Sequence, residues 1–359
     1  MNKSKMLLIG IGQAGNKLVS EMMKKDKRYV GLFVNSAYED MANLEGFSPT
    51  NAFIFPGENG SGKNRENAKM FVKSHIRSLV STVIKYPLQD TLTVFTSTDG
   101  GTGSGSTPMF LQLLRQANRS KIINLVAIIP SYKNDDKVSF ENNLAFWSEI
   151  EELPEGTIND IKVIDNSKGE SYADINEKAV TAIDKSYSMM GKHEIGNIDE
   201  GDSRTYNSAN GFSLPLILES NYSSAKEAID MAIESSVFAI PNSFDCDYLA
   251  ISLIEKEYDC NEVRDCFDNV FKTPFKTYNN KFNMVLLTGM DAPDEAIETI
   301  NMRLEELEEK EKSRKRRKKI LGSVKKTNSN SKPNKSSEPI ISTEEELDDI
   351  ANALENLFS

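Results

Sequence analysis

Asp99-Gly100-Gly101-Thr102-Gly103-Ser104-Gly105-Ser106-Thr107 separates a β-branched run, residues 91–98, from a helix-like segment, 108–118. A strand, a glycine loop and a helix in that order make a cradle for phosphate. Glycines let the backbone approach an anion and turn successive N–H groups toward it, and the helix N-terminus adds the positive end of its dipole. Thr102, Ser104 and Ser106 add hydroxyl donors. A flexible Gly/Ser linker has a similar composition, but linkers are not ordinarily wedged between an apolar strand and an amphipathic helix.

The same alternation extends outward from this loop. Apolar runs at 5–11, 29–34, 52–55, 91–95, 122–129 and 161–164 alternate with helix-like segments at 14–24, 65–84, 108–118 and 139–151, whose apolar residues recur every three or four positions. Such a pattern predicts a mostly parallel sheet covered by helices. A further long helix, 172–190, leads to a second, smaller α/β unit with strands at 212–218, 248–254 and 284–287 and helices at 224–235 and 261–271. From Pro293 a helix runs through 295–311 and turns basic at Arg314-Lys315-Arg316-Arg317-Lys318-Lys319. Residues 323–339, rich in Ser, Asn, Lys and Pro, are too poor in apolar groups to order and read as a disordered tether. Thr343 and Glu346 then have capping-box spacing ahead of Leu347, Ile350, Leu354 and Leu357, which predicts a short amphipathic helix.

With 359 residues, 38 % of them hydrophobic, the chain can bury a sizeable core in about two domains. Its net charge of −11 argues against a body that coats nucleic acid or anionic membrane, which leaves the basic arm as the local exception. Cys246, Cys260 and Cys266 are an odd set without C-x-x-C spacing, and there is neither an apolar leader nor a membrane-length run. The expectation is a cytoplasmic protein with reduced structural thiols and no direct membrane binding. His75 and His193 lie on unrelated segments, too few for a Ser-His or Cys-His pair or a His-based zinc site, and no protein-held metal site is predicted.

Two further glycine loops bear on the reading. Gly10-Ile11-Gly12-Gln13-Ala14-Gly15 matches the dinucleotide fingerprint, but the next strand ends in Asn35-Ser36 without the acidic residue that would hold a ribose. Gly57-Glu58-Asn59-Gly60-Ser61-Gly62-Lys63-Asn64 approaches the P-loop pattern, with Asn64 where a magnesium-binding hydroxyl belongs. Tight turns with positive φ would satisfy either pattern alone. Taken together with the loop at Gly100, the chain resembles the tubulin/FtsZ superfamily and, within it, the plasmid- and phage-encoded TubZ branch. Gly12-Gln13-Ala14-Gly15-Asn16 is similar to the first phosphate loop of tubulins, and Gly100-Gly101-Thr102-Gly103-Ser104-Gly105 to the family's more specific glycine signature. The resemblance covers about residues 6–305.

What the resemblance implies can be set on this sequence. The fold is α/β, tubulin/FtsZ-like: a GTP-binding domain with a Rossmann-type parallel sheet (1–171), a long central helix (172–192), a smaller α/β activation domain (193–292), a C-terminal helix turning basic (293–322) and a tail (323–359). The ligand is GTP or GDP with Mg2+. Gly12, Gln13, Ala14, Asn16, Gly100, Gly101, Thr102, Gly103 and Ser104 would cradle the phosphates, Asn35 would sit beside the nucleotide, and Asn59 and Gly60 belong to the loop that senses the terminal phosphate. Glu141 would accept from the ribose hydroxyls, Asn166 and Asn176 would read guanine, and Tyr172 would stack on the base. Asn197-Ile198-Asp199-Glu200-Gly201-Asp202 fits N-x-D-x-x-[DE], the loop such proteins present to the nucleotide of the neighbouring subunit, which makes Asp199, Asp202 and Glu200 the catalytic candidates.

The implied function is a GTPase filament, assembled head to tail, that segregates plasmid or phage-plasmid DNA in the cytoplasm of a bacterial host. The partner would be a small DNA-binding adaptor on centromere DNA, engaged by the C-terminal region. A cell-division or phage DNA-positioning tubulin is the alternative within the superfamily. Asp99 stands where division proteins usually carry the first glycine of their signature, and the tail differs from theirs. A nucleotide-binding regulator that never polymerises is the alternative outside it.

Overall fold

Six apolar runs become the parallel half of one sheet: β1 (Met6–Ile11), β2 (Val30–Asn35), β3 (Ala52–Ile54), β4 (Thr91–Ser97), β5 (Ile122–Ile129) and β6 (Asp160–Asp165). β1, β5 and β6 are buried at every position, as strands covered on both faces must be. The helices α1 (Gly12–Lys25), α2 (Arg65–Ile84), α3 (Thr102–Ala117) and α4 (Lys137–Glu151) make the connections. The computed structural model describes residues 1–134 and 136–320, so the predicted tether and closing amphipathic helix lie outside the described residues.

The remaining elements are α5 (Tyr172–Ser186), the hairpin β7 (Gly191–His193) and β8 (Gly196–Ile198), α6 (Glu200–Tyr206), β9 (Phe212–Leu218), α7 (Ala225–Glu234), β10 (Tyr248–Ile254), α8 (Cys260–Arg264), β11 (Phe275–Asn279), β12 (Asn283–Met290) and α9 (Asp294–Ile320). The long sheet has ten strands in the order β11-β10-β12-β9-β6-β5-β4-β1-β2-β3. Its two halves are joined where β9 meets β6 through the pair Ile161 and Phe212, and β12 runs antiparallel to both β9 and β10. α5 buries Ile175, Ala179, Val180, Ala182 and Ile183 and packs on α1, β9 and β12. From Met302 the outer part of α9 is a unit of its own, with Arg303 paired to Glu306 and Lys312 to Glu308 along the helix. Burial pushes the Cys246 thiol up to about 12 and that of Cys260 to about 11, so both stay protonated.

Local differences from the sequence reading have physical causes. α3 begins at Thr102 rather than Pro108, so Gly103, Ser104, Gly105 and Ser106 are helical and the loop is shorter than expected. Pro108 cannot donate to the Ser104 carbonyl four residues back, and Arg65 Nη2 donates to that oxygen instead at 3.2 Å. α5 ends at Ser186, and residues 187–190 make a turn that leads into a two-stranded hairpin. α8 stops at Arg264 rather than reaching Phe271, because the chain turns to pair Val270 with Cys246.

Three glycines allow helix backbone to touch neighbouring backbone, two of them a strand and the third another helix. A β-carbon on Gly15 would lie 2.0 Å from the Phe95 carbonyl oxygen, one on Gly103 3.1 Å from that of Ile11, and one on Gly105 2.4 Å from that of Arg65. Gly15→Ala should therefore cost ~3 kcal/mol, the upper end for overpacking, since backbone on both sides cannot give. Gly57, by contrast, has φ +79° and open space around it, so Gly57→Ala should cost only the ~1–2 kcal/mol of a left-handed residue. Thermal denaturation should give Gly15→Ala the lower midpoint; equal midpoints would remove close approach as the constraint.

Candidate nucleotide-binding site

Five parallel strands deliver their carboxyl ends to one place. β1 ends at Ile11, β2 at Asn35 and β4 at Ser97, while Ile128 is the penultimate residue of β5 and Asn166 directly follows β6. A cavity of about 470 Å³ opens there, lined by Gly12, Gln13, Ala14, Lys17, Asn35, Ser36, Asp40, residues 60–63, Ser97, residues 99–103, Ile128, Asn166, Tyr172 and Asn176. Crevices beyond the carboxyl ends of parallel strands are where open α/β sheets hold ligands, and this one has nucleotide size.

The floor is made of two helix N-termini. Each of α2, α4, α5, α6, α7 and α8 is closed by a side chain of its own, from Asn64, Asp136, Ser171, Asp199, Ser224 and Asp259. α1 and α3, whose starts form the glycine-lined side of the cavity, have no side-chain cap. Their first N–H groups therefore face a position where an anion can satisfy them, with both helix dipoles adding to its binding.

Hydroxyls and amides fix the surrounding loops. Ser36 Oγ lies 2.8 Å from Thr102 Oγ1, which donates to Ser61 Oγ at 3.1 Å, so strand end, helix start and the 57–64 loop meet in one chain of hydroxyls. Asn142 Nδ2 lies within hydrogen-bond distance of the carbonyls of Lys63, Asp99 and Gly100, at 3.0 to 3.1 Å, and staples the two glycine loops together. Asn35 donates to Asp40 at 3.0 Å and accepts from the Ser36 N–H. On the opposite wall Tyr172 is 57 % exposed, its hydroxyl accepting from Asn134 Nδ2 at 3.3 Å, and Asn176 follows one turn along α5. A flat face and an amide are thus offered side by side to a planar ligand.

Twelve of the sixteen predicted binding residues line this cavity: Gly12, Gln13, Ala14, Asn35, Gly60, Gly100, Gly101, Thr102, Gly103, Asn166, Tyr172 and Asn176. Four do not. Asn16 is fully buried beneath it, bracing β2 by donating to the Val34 carbonyl at 3.1 Å. Ser104 faces α2, donating to the Gly100 carbonyl and accepting from Arg65 Nε. Asn59 is exposed at the loop crest, and Glu141 pairs with Lys137 on the outer face of α4. The site residues not singled out include Lys17, Ser36, Asp40, Ser61, Lys63 and Asp99. Ser36 and Asp99 adjoin residues already chosen and Lys63 is the lysine of the P-loop-like run, whereas nothing in the sequence around Asp40 marks it.

The acidic turn lies elsewhere. Asp199 caps α6, accepting from the Asp202 N–H at 2.9 Å, and Asp202 returns the favour by accepting from the Asp199 N–H at 3.0 Å. Glu200 reaches Lys5, 3.7 Å away, and Arg204 on the same helix reaches Asp90 at 2.6 Å. Lys5 and Asp90 directly precede β1 and β4, so α6 stands at the amino ends of the strands whose carboxyl ends frame the cavity. Six residues of strand separate the two, roughly 20 Å.

An α/β domain with paired, uncapped helix starts at the carboxyl edge of its sheet is a nucleotide-binding domain by construction. Residues 5–171 match the model of the Tubulin/FtsZ family, GTPase domain. This part of the chain is a tubulin/FtsZ GTPase domain, and the architecture of the described residues is the tubulin/FtsZ fold. The chain is similar to the tubulin-like protein TubZ of Clostridium botulinum C phage, 26 % identical over 310 residues that make up 85 % of this chain and 84 % of that protein. The structure of Clostridium botulinum phage c-st TubZ with a truncated C-terminal tail superposes with a TM-score of 0.79 at 24 % identity, covering 86 % of this chain and all of the other. A GTPγS-form protofilament of Bacillus thuringiensis serovar israelensis TubZ gives 0.72 at 17 % identity, over 87 % and 94 % of the two chains.

Asp99 carries a testable charge. Burial pushes its carboxyl above the ordinary 3.8, against the hydrogen bond from Ser97 and the nearby Lys63 charge, which pull the other way. A carboxyl whose folded pKa is raised weakens the fold above that pKa and is neutral in effect below its unfolded value. Asp99→Asn should therefore raise the thermal midpoint of the ligand-free protein at pH 7, with the gain fading as pH falls toward 4. A gain that is independent of pH would place the effect in packing rather than charge.

Proposed function

We propose that the chain is a GTPase that polymerises head to tail, each subunit holding GTP in its cavity and receiving the acidic turn of the next subunit to complete hydrolysis. One observation carries this reading: the cavity and the Asp199 to Asp202 turn stand at opposite ends of the same parallel strands, so they cannot meet within one molecule. A head-to-tail contact brings them together. The protofilament form of the Bacillus thuringiensis protein is consistent with such stacking.

In this reading Asn166 and Asn176 read the guanine edge, where an amide can accept from N1–H and the amino group while donating to O6, and Tyr172 stacks on the ring. The uncapped starts of α1 and α3 hold the phosphates, with the Thr102 hydroxyl beside them. Magnesium supplies charge neutralisation on the phosphates when bound. Asp40 and Asp99 are the two carboxylates that line the cavity and would face such a cation. Asp199, Asp202 and Glu200 from the neighbour orient or polarise the attacking water, which restricts fast turnover to assembled subunits. The cargo in this reading is plasmid or phage-plasmid DNA in a bacterial cytoplasm. It is reached through a small DNA-binding adaptor that engages residues 314–359, the part of the sequence that holds the basic run and the apolar residues Leu347, Ile350, Leu354 and Leu357.

The first test is GTPase rate per subunit across a protein dilution series, with pelleting in parallel. A threshold shared by turnover and pelleting is expected; flat specific activity with nothing in the pellet would mean a self-contained site and a non-polymerising regulator. The acidic turn is tested by Asp202→Asn, which keeps an oxygen to accept from the Asp199 N–H and so preserves the cap. GTP binding and assembly should persist while turnover drops about 100-fold. Full activity would reject the catalytic assignment.

A further inference from the structure

The segment from Gly57 to Asn64 sits between β3 and α2, the strand-loop-helix setting of a P-loop, yet it cannot work as one. Asn64 closes the start of α2 with its own side chain, accepting from the Asn67 N–H at 3.2 Å, and the Gly60 and Asn64 N–H groups donate to the Ser36 and Ser61 carbonyls, so several of the backbone donors that a P-loop gives to phosphate are already engaged. The residue left to act is the lysine. We propose that Lys63 is the side chain by which this site recognises a terminal phosphate, its ammonium leaving Asp136 for the γ-phosphate of a bound nucleoside triphosphate and staying on Asp136 when a diphosphate is bound. The proposal rests on the nucleotide reading of the cavity and adds to it a residue and a partner exchange.

Placement comes first. Two lysines line the cavity; Lys17 lies more than a turn into α1, whereas Lys63 is packed beside the start of α3. A β-carbon on Gly101 would fall 2.8 Å from Lys63 Cα, and the Lys63 carbonyl is held by Asn142. The backbone of Lys63 is therefore fixed against the phosphate floor, in a left-handed conformation, φ +60°, that a non-glycine residue rarely adopts. Its side chain is half-exposed. The crest before it turns through Gly57, Gly60 and Gly62, all with positive φ, and a β-carbon on any of the three would meet nothing within 4 Å, which leaves space over the cavity mouth for the ammonium to move.

The exchange also costs little on the side that is left behind. Lys63 Nζ now donates to Asp136 Oδ2 at 2.6 Å and to Ser139 Oγ at 3.1 Å. Asp136 has other donors, the Ser139 N–H at 3.1 Å and the Ser139 hydroxyl at 2.9 Å, because it caps α4. When the lysine departs, the carboxylate remains partnered and partly exposed to water. The incoming phosphate oxygens carry more charge than the carboxylate they replace, and a mobile ammonium is suited to them as a point charge.

Nucleotide affinity of the full chain, measured by titration with GDP and with GTPγS below the assembly threshold, decides the matter. Lys63→Gln keeps a non-glycine side chain at the strained position and removes the charge. It should weaken GTPγS about 10- to 100-fold, the range of a charge-assisted hydrogen bond, and leave GDP within about twofold. Asp136→Asn, which removes the competing charge but can still cap α4, should shift preference the other way, toward GTPγS. An unchanged GTPγS-to-GDP ratio in Lys63→Gln, or an equal loss for both nucleotides, would overturn the proposal while leaving the site intact as a nucleotide site. A wild-type chain that binds neither nucleotide would overturn the nucleotide reading and this proposal with it.

Discussion

Contact between helix backbone and strand backbone at Gly15 and Gly103 is the constraint on which the rest of the site depends. Only without β-carbons can α1 lie against the Phe95 carbonyl and α3 against that of Ile11. Those approaches bring two helix starts to the same point at the end of β1 and β4, and it is their convergence, rather than either loop alone, that makes an anion site. Everything around it serves to hold that point still. Arg65 satisfies the Ser104 carbonyl that Pro108 cannot, and pairs with a nearly buried Glu149, so α2, α3 and α4 are locked at the base of the cavity. Asn142 then ties the two glycine loops above it.

Most of the parallel sheet was legible because its strands are buried on both faces and must therefore be apolar throughout; the run at 122–129 maps onto β5 without a residue's difference. The elements that escaped notice are those whose stability comes from their neighbours. β7 and β8 are three residues each, and Gly191-Lys192-His193 has no alternation to read; the hairpin is held by packing on β11, with His193 edge-on to Tyr278. β11, Phe275–Asn279, is polar at most positions and exists because Ala250 to Ile254 on β10 offers it a parallel partner. In the cavity, loops with a glycine signature could be read directly. Asp40 could not, since its place is set by a hydrogen bond from Asn35 across a turn. Asn16 and Ser104 belong to motifs that do line the cavity, yet their side chains point into the protein, which periodicity along a helix does not reveal when both of its faces are covered.

The acidic turn illustrates how one pair of residues can serve two ends. Asp199 and Asp202 cap α6 reciprocally, an arrangement that any stable short helix could use and that explains both carboxylates without reference to function. The same hydrogen bonds fix their direction, and each carboxylate has a second oxygen outside the pair. Structural and catalytic readings of these residues are thus compatible, and the energetic cost of exposing two like charges at one turn is offset by the helix start they complete.

Parallel strands give this molecule two ends that are chemically unlike, one with the cavity and the other with the acidic turn, which the proposed function makes a socket and a plug. In the proposed filament of n subunits there are n sockets but only n − 1 plugs to fill them, so one end always keeps an unfilled socket. The subunit there lacks the carboxylates of a neighbour and retains its triphosphate longest. Such a filament ages from within while one tip stays young, and its two tips must differ in lifetime even when every subunit is identical.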